Sequence, residues 1–227
     1  MRTLKNFLLD LFFPKNCFGC QKEETYLCED CISVLDILNF HQKFKTENLD
    51  DLYFALSYKN QSFKYEHQLI RRLVKRFKYS PFVKDLSQSL ASLIIAHFKL
   101  CERSISFIQE KEDFIIIPVP LSQKRLKWRG FNQAEEIAKN LSMHLDIPLL
   151  NNALVKNKET SFQSEISKEE RKRNVFNVFD CNKKINNKKI LLIDDIYTTG
   201  STIEECAKTL KKAGAKEVIG ITIARTS

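Results

Sequence analysis

The sequence is poor in the residues that punctuate or loosen a chain, with five glycines and five prolines among 227 residues. That scarcity excludes low-complexity composition and long flexible linkers. No run approaches the ~20 apolar residues of a membrane-spanning helix, and no internal repeat is present. The opening MRTLKNFLLDLFFPKN holds a short apolar stretch, but Asp10 interrupts it and no small-residue cleavage site follows. No secretory signal is therefore expected. Leu4, Phe7, Leu8, Leu11 and Phe12 sit at helical spacing and predict a short amphipathic helix. Its stripe suits docking on the protein's own core, with membrane or partner contact as the alternative. The expected location is the cytoplasm, with peripheral attachment at the inner membrane left open.

Negative charge is also in deficit. There are 37 Lys and Arg against 28 Asp and Glu, a net charge of +9. Such an excess favours phosphate-bearing partners: nucleotides, nucleic acid or anionic lipid surfaces. A lysine-rich surface with no specific partner would give the same sum. A hydrophobic content of 43% suffices for one sizeable core with a small appended module.

Four of the seven cysteines lie close together, as Cys17-x-x-Cys20 and Cys28-x-x-Cys31. Each hook presents two sulfurs to one ion, and Gly19 lets the first turn tightly. Four thiolates leave no open coordination position, so the metal is expected to be structural, with Zn²⁺ as the default. A module this short buries little core, so the ion would supply folding energy. Four unrelated buried thiols, or a redox dithiol, are the competing readings.

Residues 52–58 read as a strand and 66–78 as a helix with Leu69, Ile70, Leu73, Val74 and Phe77 on one side. A second helix is expected over 83–101, a buried strand over 114–119 and a helix over 131–145. Short extended stretches at 153–156 and 175–179 flank a polar segment. Residues 190–193 form a wholly apolar strand, 201–213 a helix ended by Gly214, and 218–224 a closing strand. Strands alternating with helices predict a parallel α/β sheet covered on both faces. The expected division is residues 1–45 for the N-terminal helix and cysteine module, and 46–227 for the main domain.

The most informative run is ILLIDDIYTTGST, residues 190–202. A buried strand ends in two carboxylates, and a hydroxyl-rich turn then opens a helix. The C-terminal ends of parallel strands are where such sheets bind ligands. Backbone N–H groups at a helix N-terminus make an anion cradle. Gly200 lacks the Cβ that would block a phosphate, and Thr198, Thr199, Ser201 and Thr202 add hydroxyls. Asp194 and Asp195 would repel a phosphate but suit the hydroxyls of a sugar that carries one. A plain helix cap would explain one of these hydroxyls, not the whole run.

This run resembles the signature with which type I phosphoribosyltransferases bind 5-phosphoribosyl-1-pyrophosphate (PRPP). The resemblance implies that Asp194 and Asp195 hold the ribose hydroxyls while Thr198, Thr199, Gly200, Ser201 and Thr202 wrap the 5′-phosphate, with Mg²⁺ on the pyrophosphate. Pyrophosphate would be displaced at C1 through an oxocarbenium-like transition state. Upstream, the run PVPLSQKRLKWRGFNQ covers residues 118–133. With the cysteine hooks and the phosphate loop, it makes nearly the whole chain similar to the ComF family of natural-competence proteins.

By that resemblance Pro118 and Val119 belong to a pyrophosphate-side loop, and Arg129 joins Asp194 and Asp195 in catalysis. The runs LVKNKETSFQ and ERKRNV match a hood expected to close over PRPP, with Lys156, Lys158, Thr160, Gln163, Arg171 and Asn174 on motif positions. Lys156 and Lys158 stand where Arg is common, keeping charge but losing bidentate geometry. Lys78-Tyr79 precedes Ser80-Pro81 where the family often has Gly, which puts ligand contact there in doubt.

The family's role implies handling of incoming single-stranded DNA beside a competence helicase and an inner-membrane channel. Lys124, Arg125, Lys127, Trp128 and Arg129, basic residues interleaved with an aromatic, are the DNA-binding candidates, together with the basic helix at 71–78. Trp128 or Tyr79 would stack a base. A solvated charged face is the bland reading of the same residues. The other functional reading is a metabolic phosphoribosyltransferase of nucleotide synthesis or salvage with no DNA role. The acceptor and the oligomeric state are not encoded in any recognisable motif.

Overall fold

A computed structural model describes residues 14–58, 65–80, 82–101, 111–157 and 177–226. The elements in chain order are α1 (Glu29–Ser33), β1 (Asp51–Tyr58), α2 (Tyr65–Lys78), α3 (Leu86–Leu100), β2 (Phe114–Pro118), α4 (Gln123–Arg129) and α5 (Gln133–Leu145). Then come β3 (Leu154–Lys156), β4 (Phe179–Cys181), β5 (Lys189–Ile193), β6 (Ile196–Tyr197), α6 (Ser201–Lys212) and β7 (Glu217–Thr226).

The main sheet has the order β1-β7-β5-β2, every pair parallel, with β6 added alongside β7. Its central strands are apolar on both faces, as a doubly covered sheet requires. Along β5, Leu191 and Ile193 enter one core cluster while Ile190 and Leu192 enter the other. The first cluster lies under α2, α3 and α5, and the second under α6. Gly220 on β7 makes the second interface tight: a Cβ there would come within 2.8 Å of Leu52 Cδ1 and 3.0 Å of Ile203 Cδ1.

The expectation of a parallel sheet with helices on both faces holds, with two refinements. β3 and β4 do not join the sheet; they pair antiparallel with each other. The basic run after β2, which carried no assignment from sequence, is helix α4, and α5 starts at Gln133 rather than at Phe131. The R-G-F-N-Q run explains this boundary. Gly130 ends α4 in the left-handed conformation, at φ 80°. Phe131 is buried, and Asn132 caps α5 by accepting from Ala134 N at 3.2 Å while donating to Val119 O at 2.9 Å. Buried Gln133 donates to Phe77 O at 3.0 Å, joining α5 to the end of α2.

The first core cluster runs on into the cysteine segment through Cys17, Leu27, Cys28, Cys31 and Leu35. Phe18 stacks on Tyr26, Arg76 of α2 lies over the Phe18 ring, and Arg72 donates to Phe18 O at 3.4 Å. Next to this junction His97 of α3 is 1% exposed, and its Nδ1 meets Leu38 O at 2.7 Å. A carbonyl only accepts, so Nδ1 carries the proton.

Burial holds the His97 pKa below its ordinary value; the Leu38 carbonyl works the other way, and nearby His41 adds to the depression. A depressed folded value means that the stability from neutral His97 is present above ~6.5 and is lost as pH falls through the folded value. Melting temperature is therefore expected to drop between pH 7.5 and pH 5.5, and to drop less in His97→Gln. An equal drop in both proteins would place the acid sensitivity elsewhere.

Candidate functional site

The C-terminal edge of the sheet gathers most of the predicted residues. β5 delivers Asp194 and Asp195, held in place by the backbone: Asp194 N donates to Ile221 O, and Ile223 N donates to Asp195 O, both at 3.0 Å. Asp195 N donates to Asp194 Oδ1 at 2.8 Å, and Ile196 N to Asp195 Oδ1 at 2.6 Å. Pro118 is in register with Ile193, and Val119 N donates to Ile193 O, so the end of β2 lies directly beside the acidic pair.

Two cations converge on Asp195. Lys78, the last residue of α2, places Nζ 2.9 Å from Asp195 Oδ1. Arg129, the last residue of α4, is half-buried and lies within electrostatic reach of Asp195. Its Nη1 donates to Gln133 Oε1 at 2.9 Å, and its Nε is buried without a partner among the described residues. Lys78 is the site residue the sequence reading undervalued. The signal was the Lys78-Tyr79 pair itself, set aside because Ser80-Pro81 follows in place of glycine.

The charges are unequally shared. Loss of hydration pushes the Asp194 pKa up to about 7, the Asp195 carboxylate adds to the rise, and Lys78 opposes it. A group of this kind favours the fold while neutral, and that contribution is lost as pH rises through about 7.

The loop beyond the pair opens α6. Thr199 Oγ1 lies 2.9 Å from Ser201 Oγ and accepts from Ser201 N at 3.4 Å. Thr198 is exposed, Thr199 and Thr202 are half-buried, and α6 has no side-chain cap at Gly200. Gly200 takes φ 75°, and a Cβ there would overlap the Tyr197 hydroxyl, so its nearest constraint is Tyr197 packing. Tyr197 in turn meets Phe44 edge-on, and Arg225 lies 4.2 Å from the Phe44 ring.

Behind the loop, Glu204 of α6 accepts from Thr46 Oγ1, from Asn48 N and from Asn48 Nδ2. The segment between the cysteines and β1 thus forms one wall behind the loop that opens α6.

The DNA-binding candidates separate. Lys124 and Lys127 are exposed on α4, Arg125 is half-buried, and Trp128 is 52% exposed. Trp128 packs edge-on against Phe82, and Tyr79 is 47% exposed. Arg129 turns inward to the acidic pair. The basic helix α2 divides likewise. Arg72 and Arg76 serve the cysteine segment, Lys78 serves Asp195, and Arg71 and Lys75 face solvent. Thr160, Gln163 and Arg171, with Lys158 and Asn174, lie outside the described residues. Half-buried Lys156 is described and lies over the Phe179 ring.

In the N-terminal segment, the sulfurs of Cys17, Cys20, Cys28 and Cys31 all lie within 4.8 Å of one another. Cys17 and Cys28 are 3.7 Å apart, Cys20 and Cys28 3.5 Å. A tetrahedral ion with ~2.3 Å bonds to sulfur needs sulfurs about 3.8 Å apart. Cys28 N also donates to Cys17 Sγ. Burial raises the Cys17 thiol pKa, but N–H donors from Cys20, Cys28 and Gly19 outweigh it and bring it to about 6. The cluster is placed to hold one metal ion.

Replacing Asp194 with Asn is expected to stabilise the unliganded protein, by nothing near pH 4 and by on the order of a few °C above pH 7. Thermal unfolding across that range reads the effect; a constant difference between the two proteins would show that the carboxyl titrates normally.

A model of the phosphoribosyl transferase domain matches residues 127–227. Competence protein F of Haemophilus influenzae is 37% identical over 150 residues, 64% of this chain. The match spans 63% of that protein, just under two thirds of its length. Competence protein ComFC of Bacillus subtilis is 28% identical over 221 residues, covering 93% of this chain and 85% of that one. Among solved structures, the purine phosphoribosyltransferase of Pyrococcus horikoshii Ot3 aligns with 62% of this chain and 71% of its own, at 23% identity and a TM-score of 0.32. The correspondence with competence proteins extends from the cysteine hooks through the phosphoribosyltransferase domain, and the chain belongs to the ComF family.

Proposed function

We propose that this protein acts in natural transformation, handling incoming single-stranded DNA, and that its sheet edge binds PRPP with Mg²⁺. The observation that carries the reading is the convergence of Lys78 and Arg129 on Asp195, beside the N-terminus of α6. Two cations, two carboxylates and a hydroxyl-lined anion cradle match the parts of a phosphorylated sugar bearing a pyrophosphate.

In this reading Asp194 and Asp195 accept the ribose hydroxyls through oxygens turned away from the backbone. Thr198, Thr199, Gly200, Ser201 and Thr202 enclose the 5′-phosphate with N–H and O–H donors. Arg129 stabilises charge developing on departing pyrophosphate, which is where a pre-set cation acts most strongly, while Lys78 holds the Asp195 carboxylate in place. Mg²⁺, carried on the pyrophosphate oxygens, supplies further neutralisation. Binding without transfer, as a sensor, uses the same residues, and the acceptor decides between them.

DNA lies across the α4 face in this reading. Lys124, Arg125 and Lys127 meet phosphates and Trp128 or Tyr79 stacks a base, giving weak, sequence-tolerant, salt-sensitive binding. Arg129 joins the two regions, so DNA and PRPP overlap in part. Delivery of the strand involves a competence helicase and an inner-membrane channel. Zn²⁺ on Cys17, Cys20, Cys28 and Cys31 holds the N-terminal segment against α2. Among the described residues no helix is long and apolar enough to cross a membrane.

Elemental analysis of the purified protein is expected to find one zinc per chain and none in a Cys28→Ser, Cys31→Ser double variant; equal metal in both would remove the ion from these sulfurs. Titration calorimetry is expected to show Mg²⁺-dependent PRPP binding, weakened in Asp195→Ala by about 1.5–3 kcal/mol. Filter binding at low salt reads the second half. Retention of a single-stranded oligonucleotide, reduced by Lys124→Ala with Lys127→Ala, supports the DNA role. PRPP binding with no retention leaves the metabolic phosphoribosyltransferase.

A further inference from the structure

Asp194 and Asp195 are adjacent in sequence, identical in chemistry and different in surroundings. Asp195 Oδ1 has two donors, the Ile196 N–H at 2.6 Å and the Lys78 ammonium at 2.9 Å. Both ends of the Lys78 ion pair are largely shielded, with side-chain exposures of 22% and 13%. Asp194 Oδ1 has one backbone donor, Asp195 N, and no cation at ion-pairing distance among the described residues.

Among the described residues, the charged and titratable groups around the pair and its nearest cations are few. From α2 and its end come Lys78 and Tyr79; from α4 come Arg129 and, behind it, Arg125; from α6 comes buried Cys206. Among the described residues only Lys78 makes an ion pair with either carboxylate, and its reach is fixed because Phe77 O is tied to Gln133 of α5 one residue earlier. We propose that Lys78 is a positioning residue of the sugar site, holding the Asp195 carboxylate through Oδ1 and leaving Asp194 as the member of the pair with no ion-pairing cation among the described residues.

The division has a chemical purpose within the PRPP reading, on which it rests. Two neighbouring hydroxyls donating to two ionised carboxylates would set two full negative charges side by side in a site with little water. With Asp195 pinned through Oδ1, its Oδ2 stays open to accept one hydroxyl. The second hydroxyl is accepted by Asp194 when it gives up its proton, or it accepts from Asp194 when it does not. Near neutrality, binding is therefore coupled to proton release. Asp194's elevated affinity for a proton, opposed by Lys78, agrees with this division.

The experiment has one arm without ligand and one with it. Carbon-13 carboxyl spectra of the unliganded protein, titrated from pH 4 to 9, report both aspartates. In Lys78→Gln, the Asp194 midpoint is expected to move up by about one pH unit, the low end for loss of a nearby opposite charge. Lys78→Arg is expected to leave it nearly in place. A midpoint that does not move in Lys78→Gln overturns the inference whatever the protein binds.

The second arm titrates Mg²⁺ and PRPP from pH 6 to 9. Affinity in Lys78→Gln is expected to fall by on the order of tenfold at pH 7, and the deficit is expected to shrink towards pH 9 as the pair ionises. Lys78→Arg is expected to restore most of it. A loss of the same size at every pH would mark Lys78 as merely structural or as a direct ligand contact. Absence of PRPP binding by the wild-type protein would instead remove the reading of the site, with the first arm still deciding the role of Lys78.

Discussion

Two carboxylates that repel each other stand at the end of the most buried strand of the sheet, and the surroundings are arranged to keep them there. Separately ionised and desolvated, they would cost the fold several kcal/mol. Backbone N–H groups, a lysine from one helix and an arginine from another offset that cost from three directions. These partners come from α2, α4 and the turn into β6, so the helix packing on one face serves the chemistry at the edge. Gln133 shows the economy of the arrangement: one amide donates to the end of α2 and accepts from Arg129, fixing both cation-bearing termini.

The cysteine segment is tied to the same region through a different set of contacts. Its aromatic pair lies against arginines of α2, and the stretch that follows is held at Asp51 and at Glu204. Asp51 accepts from Phe44 N, from Leu52 N and from His41, which stacks on Tyr53 at 3.9 Å. The loop that opens α6 is thereby backed by residues distant from it along the chain. The cysteine cluster and the candidate ligand loop share a wall, which gives each a physical route to the other's stability.

Much of this was legible in the sequence, and for identifiable reasons. Ile190 to Ile193 are apolar without interruption, which only a strand covered on both faces tolerates, and the acidic pair followed by hydroxyls and glycine marks the strand's ligand-binding end. The two cysteine hooks gave the metal cluster by spacing alone. What escaped depends on direction, not on type. Lys124, Arg125, Lys127 and Arg129 look alike as a basic run, and only the turn of α4 and the stop at Gly130 decide that Arg129 faces inward. Lys78 looked like one more cation on a basic helix. The antiparallel pairing of β3 with β4 was hidden because three-residue strands carry almost no periodicity.

The order of strands imposes a schedule on synthesis. β7 is the last element in chain order, yet it lies between β1 and β5, and Asp50, Asp194 and Asp195 all exchange backbone hydrogen bonds with it. Until it is made, β1 has no neighbour on that side and the acidic pair has no backbone to hold it. An emerging chain can fold the cysteine segment and the α2, α3 and α5 layer early, but the ligand site assembles late and all at once. Contacts so distant along the chain form slowly and leave strand edges open meanwhile. A nascent chain therefore brings its four cysteines together before the acidic pair has a backbone to rest on.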